Sequence, residues 1–155
     1  MTGPILDNFY DEPALVALAG RLGHMLECGD CVALRGDLGT GKTTFARAMI
    51  RAFVDDLLLD VPSPTFPIRQ DYASQRGAIV HFDLYRIVAP RDLDEIGFDD
   101  ALANAVTVIE WPERAGSALP SSRIDIELSD TSASDTRRVT IGGDAAFIAR
   151  LARLI

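Results

Sequence analysis

Hydrophobic positions along the chain fall into short continuous runs and stretches at helical spacing. The apolar run 31–35 has the length and composition of a buried strand, and a stretch with helical spacing lies on each side of it. Before the run, Asp11 is predicted to cap a helix whose first turn holds Glu12 and Pro13. After it, a helix is predicted to extend to about Asp55. The two apolar faces consist of Leu15, Leu18, Ala19, Leu22 and Leu26, and of Phe45, Ala46, Met49, Ile50 and Phe53.

The rest of the chain contains further strand and helix patterns. Residues 123–128 alternate polar and apolar side chains, as a half-exposed strand does, and residues 138–141 are predicted to pair with them as a hairpin. Three prolines within residues 61–67 exclude a helix there and predict a stiff extended loop. The other predicted elements are strands over 5–8, 68–72, 78–83 and 105–110, and helices over 90–94, 96–103 and 145–154, the last with Phe147, Ile148, Leu151 and Leu154 facing inward.

The segment that follows the run 31–35 fits G-x-x-x-x-G-K-[ST], with Gly36, Gly41, Lys42 and Thr43 in the fixed places. A glycine-rich turn can aim several backbone N–H groups at one anion. Lys42 is expected to reach the β- and γ-phosphates of a nucleotide and the Thr43 hydroxyl to bind Mg²⁺, with the helix N-terminus facing the anion. The alternative is a glycine-rich turn with a chance lysine, but strand, loop and helix follow in the order that a phosphate-binding loop requires.

The apolar runs 78–83 and 105–110 each end in a carboxylate, Asp83 and Glu110 respectively. A Mg-nucleotide site needs an acid at the carboxyl end of a strand near the phosphate loop, because the acid holds the water shell of the metal. One acid is expected to position Mg²⁺ and the other to orient or activate the attacking water, and the sequence leaves open which does which. Each could also be an ordinary strand-end carboxylate.

Candidate switch residues lie in two further segments. Thr65, with Ser63 as the second choice, lies in the proline-rich loop, where a nucleotide hydrolase often senses Mg²⁺ and the γ-phosphate. A rigid connector is the alternative interpretation of this loop. Trp111 follows Glu110 directly, and it is interpreted either as a packing anchor or as a mobile switch element.

Structural interpretations are favoured for two other pairs of residues. Cys28 and Cys31 form C-x-x-C, but a closed zinc site normally has four ligands and the chain offers no second Cys or His pair. Arg47 and Arg51 lie one turn apart on the polar face of the second predicted helix. A solvated face is favoured there over a docking patch.

Composition and charge narrow the class of protein. The 155 residues are expected to form one domain, residues 1–155, of ordinary globular composition. A formal net charge of −8 argues against a protein that binds nucleic acid by itself, because such binding needs clustered Lys and Arg. Lys42 is the only lysine in the chain. Without a membrane-spanning run or a signal-peptide pattern, a cytoplasmic protein with no membrane partner is expected.

Four blocks of the sequence together resemble the TsaE (YjeE) family of bacterial P-loop ATPases. They occur in the family's order and at its spacing, and the resemblance extends from about residue 15 to residue 128. The blocks are GDLGTGKTT (36–44), SPTF (63–66), HFDLYR (81–86) and EWPER (110–114). The resemblance implies an α/β fold that is P-loop NTPase-like, with a mostly parallel central sheet flanked by helices and extended by added antiparallel strands.

The function implied by the resemblance is a Mg-dependent ATPase required for N6-threonylcarbamoyladenosine (t6A) at position 37 of tRNAs that read codons starting with A. The implied partners are TsaB and TsaD, of which TsaD carries out the carbamoyl transfer. ATP hydrolysis then resets the TsaB–TsaD complex between turnovers. The resemblance implies that tRNA is reached indirectly, through the complex, and this division fits the net charge of −8.

The resemblance also implies roles for individual residues. Lys42, Asp83 and Glu110 are the implied catalytic residues. Mg²⁺ is assigned to Thr43 and Glu110, with Asp83 as a further candidate ligand. The implied ATP-binding residues are Asp37, Leu38, Gly39, Thr40, Gly41, Lys42, Thr43, Thr44, Thr65 and Trp111.

Two departures from the family pattern and two rival functions stay open. Thr40 stands where the family usually has a small residue such as Ala, and Pro67 removes a backbone donor and stiffens its loop. One rival is a small-molecule or nucleoside kinase, for which Arg69, Arg86 and Arg91 are candidate lid residues. The other is a nucleotide-dependent adaptor without turnover, in which ATP only orders a binding surface.

Overall fold

The computed structural model describes residues 4–153, which form a seven-stranded sheet with helices packed on both faces. None of the helices in this range is long and apolar enough to cross a membrane. The elements are β1 (Leu6–Asp11), α1 (Glu12–Met25), β2 (Cys31–Arg35), α2 (Lys42–Val54), β3 (Arg69–Ser74), β4 (Gly77–Asp83), α3 (Pro90–Glu95), α4 (Phe98–Asn104), β5 (Val106–Glu110), a 3-10 helix (Pro112–Ala118), β6 (Ile124–Asp130), β7 (Thr136–Gly143) and α5 (Ala145–Leu151).

The sheet has a parallel centre and antiparallel margins. Its strand order is β1-β7-β6-β2-β5-β4-β3, in which β6, β2, β5 and β4 run parallel. The strand pairs β1–β7, β6–β7 and β3–β4 are antiparallel. The expected α/β fold with added antiparallel strands is therefore confirmed. In the central strands Leu34 and Asp83 both lie opposite Glu110, so the carboxyl ends of β2, β4 and β5 meet at one edge.

Alternate residues of the central strands face two separate apolar clusters. On one face, Val32 and Leu34 pack against α1, α2 and α5, and every residue predicted for the apolar faces of the first two helices is buried. On the other face, Val80 and Phe82 pack against α3 and α4. Because β4 and β5 are covered on both sides, they are continuous apolar runs rather than alternating ones.

Helices α1 and α2 are in close contact at Gly23. A Cβ atom at this position would lie 2.3 Å from the carbonyl oxygen of Met49 and 2.8 Å from the Cβ of Ala52. By contrast, a Cβ at Gly20, one turn earlier in α1, would have no heavy atom within 4 Å beyond its chain neighbours and the backbone of its own helix. The absence of a side chain at Gly23 therefore allows α2, the helix that follows the glycine-rich loop, to lie this close to α1.

Gly23→Ala is expected to lower the free energy of unfolding by about 1–3 kcal/mol, because the backbone of α2 must move away from the new methyl group. Gly20→Ala is the matched control, and it should raise the free energy of unfolding by about 1 kcal/mol through helix propensity. Equilibrium urea denaturation of the wild type and both variants measures the two effects. A stabilising effect of both substitutions would contradict the close contact.

Arg76, in the turn between β3 and β4, joins this hairpin to the ends of both long helices. Its guanidinium donates to the carbonyl oxygens of His24 at 2.7 Å and Leu26 at 2.9 Å, at the end of α1. It also donates to the carbonyl of Phe53 near the end of α2, at 3.3 Å, and lies over the Phe53 ring. The last carbonyls of a helix lack partners within the helix, so Arg76 satisfies groups from two helices at once.

Several predicted boundaries are wrong at the ends of the chain. β1 begins at Leu6 and extends to Asp11 rather than ending at residue 8, because its pairing with β7 continues to Asp11 opposite Thr136. Helix α5 ends at Leu151, and of its predicted inward residues Phe147 and Leu151 are buried and Ile148 is half-buried. Leu154 lies outside the described residues. The 3-10 helix after β5 was not predicted.

The proline-rich loop also differs from the predicted extended conformation. Residues 65–67 form a turn, and the N–H of Ile68 donates to the carbonyl of Pro64 at 2.7 Å. Ile68 adopts a φ of 68°, which a β-branched residue rarely does. As a result, β3 begins at Arg69 rather than at residue 68.

The arginines on the polar face of α2 anchor the first half of this loop. Arg47 Nε donates to the carbonyl of Val61 at 3.0 Å, and Arg51 Nε donates to the carbonyl of Leu59 at 2.8 Å. Both side chains are half-buried. The prediction of a solvated face is therefore wrong for these two residues, because their donors are used by backbone carbonyls of the loop.

Candidate functional site

The glycine-rich loop connects β2 to α2 as the motif predicts. Gly36 and Gly41 adopt φ values of 152° and 98°, in the region that favours glycine. A Cβ at Gly36 would lie 2.5 Å from Thr40 Oγ1 and 2.6 Å from the carbonyl oxygen of Leu128. Helix α2 begins at Lys42, so its first N–H groups and the positive end of its dipole face the loop.

Thr40, the residue that departs from the family pattern, fits inside this loop. Its side chain is buried, and its hydroxyl donates to the carbonyl of Asp37 at 2.8 Å. The backbone N–H of Thr40 donates to the same carbonyl at 3.3 Å. The extra hydroxyl thus closes the turn from within the loop.

Lys42 lies folded back across the loop. Its ammonium donates to the carbonyl of Gly36 and lies 3.5 Å from the centre of the Trp111 ring. Burial lowers the pKa of Lys42 below its usual value, and nearby carboxylates, Glu110 foremost, oppose that shift. The ammonium is therefore largely withdrawn from water at the place where the motif predicts an anionic phosphate.

Glu110 connects the loop to the centre of the sheet. Thr43 Oγ1 donates to Glu110 Oε1 at 3.1 Å, and His81 Nε2 lies 2.6 Å from Glu110 Oε2. His81 and Glu110 are both buried. The sequence reasoning placed His81 in a strand without a role. The signal that could have found it is its position two residues before Asp83, which puts both side chains on one face of β4.

Asp83 lies at the end of β4, next to the proline-rich loop. Its Oδ2 lies 3.3 Å from Thr65 Oγ1 and 3.4 Å from Ser63 Oγ, while its Oδ1 accepts from the N–H of Tyr85 at 3.0 Å. Asp83 is buried. The structure thus brings the first and the second choice for the switch residue to the same carboxylate.

Trp111 covers one side of the site. It follows β5 with a φ of 56°, and its ring centre lies 5.0 Å from that of Tyr85. The guanidinium of Arg114 lies 5.4 Å from the centre of the Tyr85 ring. The tryptophan ring therefore packs against both Tyr85 and the ammonium of Lys42.

Most of the predicted site residues line one cleft of about 350 Å³, here called the phosphate-loop cleft. Of the predicted residues, Asp37 and Thr40 do not line it. Asp37 contributes the carbonyl that Thr40 binds, and Thr40 faces the other side of the loop. The lining residues are Leu38, Gly39, Gly41, Lys42, Thr43, Thr44, Ser63, Thr65, Asp83, Glu110 and Trp111.

A second cleft of about 370 Å³, here called the hairpin cleft, lies against the other side of the loop. Its lining residues are Asp11, Glu12, Pro13, Leu15, Thr40, Gly41, Thr44, Ser134, Asp135 and Arg137. Arg137 donates to the carbonyl of Gly39 at 3.4 Å. Residues 130–135 have only the composition of a polar loop, so the sequence gives no sign of this cleft.

The cysteine pair lies away from both clefts. Cys31 is buried in β2, and burial raises the pKa of its thiol to about 11. A thiol with so high a pKa is a poor nucleophile and a poor metal ligand at neutral pH. Cys28 donates to the carbonyl of Asn104 at 3.1 Å. These contacts give both cysteines a structural role.

Known proteins match the chain over most of its length. Residues 9–139 match the family model described as threonylcarbamoyl adenosine biosynthesis protein TsaE. A tRNA threonylcarbamoyladenosine biosynthesis protein TsaE from Rickettsia felis is 39% identical over 124 residues, which cover 80% of this chain and 70% of the relative. The protein of that name from Mycobacterium leprae is 37% identical over 134 residues, covering 81% and 82%. A crystal structure of Bacillus subtilis YdiB has a TM-score of 0.75 at 25% identity, covering 96% of this chain and 94% of that one.

Proposed function

The chain belongs to the TsaE family of tRNA threonylcarbamoyladenosine biosynthesis proteins, and on that premise we propose that it is a Mg²⁺-dependent ATPase. We propose further that it acts with a TsaB–TsaD complex and resets this complex by hydrolysing ATP. The observation that carries the proposal is the phosphate-loop cleft, where Lys42, Thr43, Asp83 and Glu110 converge from three separate segments of the chain.

The triphosphate of ATP would bind along the glycine-rich loop. Backbone N–H groups of the loop and the first turn of α2 supply donors, and the helix dipole favours the anion. Lys42 would exchange the carbonyl of Gly36 for phosphate oxygens, a better partner for a desolvated ammonium.

Mg²⁺ fits the oxygen groups at the start of α2. The Thr43 hydroxyl and the Glu110 carboxylate lie within 3.1 Å of each other, and a Mg²⁺ site needs only one or two such protein groups beside phosphates and water. When bound, Mg²⁺ would neutralise charge on the β- and γ-phosphates. Thr43 and Glu110 would hold it, with the carboxylate accepting from the threonine hydroxyl and from metal-bound water.

Asp83 is then the acid on the side of the attacking water. Its Oδ1 accepts one hydrogen bond, from the N–H of Tyr85, and keeps a second lone pair, so the carboxylate could orient a water and accept its proton. The hydroxyls of Ser63 and Thr65 next to Oδ2 link this acid to the proline-rich loop. A change in the conformation of the loop would therefore change the hydrogen bonds that the carboxylate of Asp83 accepts.

The hairpin cleft is the proposed place for the adenosine. It adjoins the loop at Thr40, Gly41 and Thr44, on the side opposite Asp83 and Glu110. A nucleotide that lies across the loop would then have its triphosphate end at the acids and its nucleoside end under the β6–β7 hairpin. Carboxylates of this cleft are suited to accept from ribose hydroxyls or from an exocyclic amine.

The kinase alternative finds little support in the contacts of two of its three candidate lid residues, Arg69 and Arg86. Arg69 is held by Asp71 and by the carbonyls of Ile96 and Gly97. Arg86 donates to the carbonyl of Phe66 at 3.0 Å. A lid arginine needs a free guanidinium that can close on phosphates, and these two are already engaged with backbone or carboxylate oxygens.

The test is ATP hydrolysis by the purified protein, alone and with TsaB–TsaD from the same organism. We expect the complex to increase turnover by roughly 10-fold or more, since P-loop proteins often need a partner to complete the site. TsaB alone and TsaD alone are the controls. If the protein does not bind the complex and the complex does not stimulate its turnover, the proposed partnership is contradicted. Phosphate transfer to a small acceptor would support the kinase alternative instead.

A further inference from the structure

His81 lies in the middle of β4 and has no contact with solvent. Its neighbours along the strand, Val80 and Phe82, are apolar and fully buried as well. Burying an imidazole costs free energy unless its polar atoms are paired. The partner of Nε2 is Glu110 Oε2 at 2.6 Å, and Glu110 uses its other oxygen to accept from Thr43 at 3.1 Å.

The contact fixes which nitrogen of His81 carries hydrogen. With hydrogen on Nε2, the imidazole donates to the carboxylate oxygen of Glu110. Within residues 4–153, Nδ1 meets no hydrogen-bonding partner. Hydrogen on Nδ1 in place of Nε2 would leave a buried N–H unpaired, so the geometry indicates Nε2 as the donor.

We propose that His81 is a positioning residue for Glu110, an inference that rests on the function proposed above. The Nε2–H bond holds Oε2 toward the sheet, so that Oε1 is the oxygen that faces Thr43 and the metal site. A glutamate has three side-chain torsions, and without this bond the carboxylate can rotate away from the loop or move onto the metal directly. A donor behind a metal-associated carboxylate typically sets its orientation and the affinity for the metal.

Two substitutions separate positioning from simple core packing. His81→Gln keeps an N–H donor at a similar reach from the backbone, whereas His81→Leu fills the space without a donor. If His81 only fills the core, Leu should serve at least as well as Gln. If it positions Glu110, Gln should preserve the response to Mg²⁺ and Leu should lose it.

The readout is the binding of ADP, followed through the fluorescence of Trp111, the only tryptophan in the chain. We expect His81→Leu to raise the half-saturating Mg²⁺ concentration by about 10-fold or more, while ADP binding without Mg²⁺ stays unchanged. His81→Gln should stay within about threefold of the wild type. A wild-type Mg²⁺ response in His81→Leu, or equal losses in both variants, would overturn the proposal.

A second measurement keeps the test independent of whether His81→Leu folds. The chain has two histidines, so the ¹⁵N resonances of the exposed His24 and the buried His81 can be assigned in the wild type. We expect a slowly exchanging Nε2–H for His81, lost in Glu110→Ala. Hydrogen on Nδ1 alone would overturn the inference. Absence of ADP binding by the wild type would instead refute the proposed function, and the resonances would still report the His81–Glu110 contact.

Discussion

Lys42→Ala should reduce ATP hydrolysis in the presence of TsaB–TsaD by about 100-fold or more, the largest effect expected for any single substitution in this chain. Lys42 is the only lysine, and its ammonium lies over the glycine-rich loop with Trp111 behind it. Alanine leaves no cation there to stabilise charge on the transferred phosphate. Steady-state phosphate release measures the effect, and quenching of Trp111 by ATP measures the accompanying loss of binding.

Two controls make the Lys42→Ala result specific. Arg21→Ala removes one positive charge from the exposed side of α1 and should leave turnover unchanged. Lys42→Arg keeps the charge but replaces a compact ammonium with a planar guanidinium, so it should not restore hydrolysis. Normal hydrolysis by Lys42→Ala with its partners would show that the phosphate site has been assigned to the wrong place.

Amide substitutions of the two acids should each reduce turnover by about 100-fold, but by different routes. Glu110→Gln removes the negative charge from the group that faces Thr43, so Mg²⁺ should bind more weakly. The Mg²⁺ concentration needed for half-maximal activity should therefore rise. Asp83→Asn removes the proton acceptor beside Ser63 and Thr65, so turnover should fall while the Mg²⁺ requirement stays the same. Amides are chosen because they keep the volume of each buried side chain.

Mg²⁺ titrations of hydrolysis by both amide variants provide the measurement. Identical Mg²⁺ profiles for Glu110→Gln and Asp83→Asn would contradict the proposed division of roles. An exchange of the two profiles would assign the metal to Asp83 and the water to Glu110. The sequence alone left this choice open, and the contact between Thr43 and Glu110 is the reason for the direction proposed here.

The centre of the site could be predicted because its signals are local. The glycine-rich motif fixes Lys42 and Thr43 relative to the start of a helix, whatever the rest of the chain does. Asp83 and Glu110 each end an apolar run, and parallel strands bring their carboxyl ends to the same edge of a sheet. For these residues, position within an element was sufficient to predict proximity.

The missed residues depend on contacts between distant segments. His81 gains its partner only through the register of β4 against β5, which an apolar strand pattern does not specify. Arg137 reaches Gly39 across 98 positions of sequence, because β7 pairs beside β6 in the same sheet as β2. The prediction of a solvated face for Arg47 and Arg51 is wrong for the same reason. Helical periodicity does not show which loop packs over a helix.

Arg76 couples local unfolding of the β3–β4 hairpin to the two long helices. A hairpin at the edge of a sheet usually unfolds locally, at low free energy and independently of the core. Here such an opening would remove the donor that binds carbonyls at the ends of both α1 and α2, and the first turn of α2 is where we propose that the phosphates bind. The β3–β4 edge therefore belongs to one cooperative unit with both helices. Its amide hydrogens should exchange with solvent as slowly as those of the core.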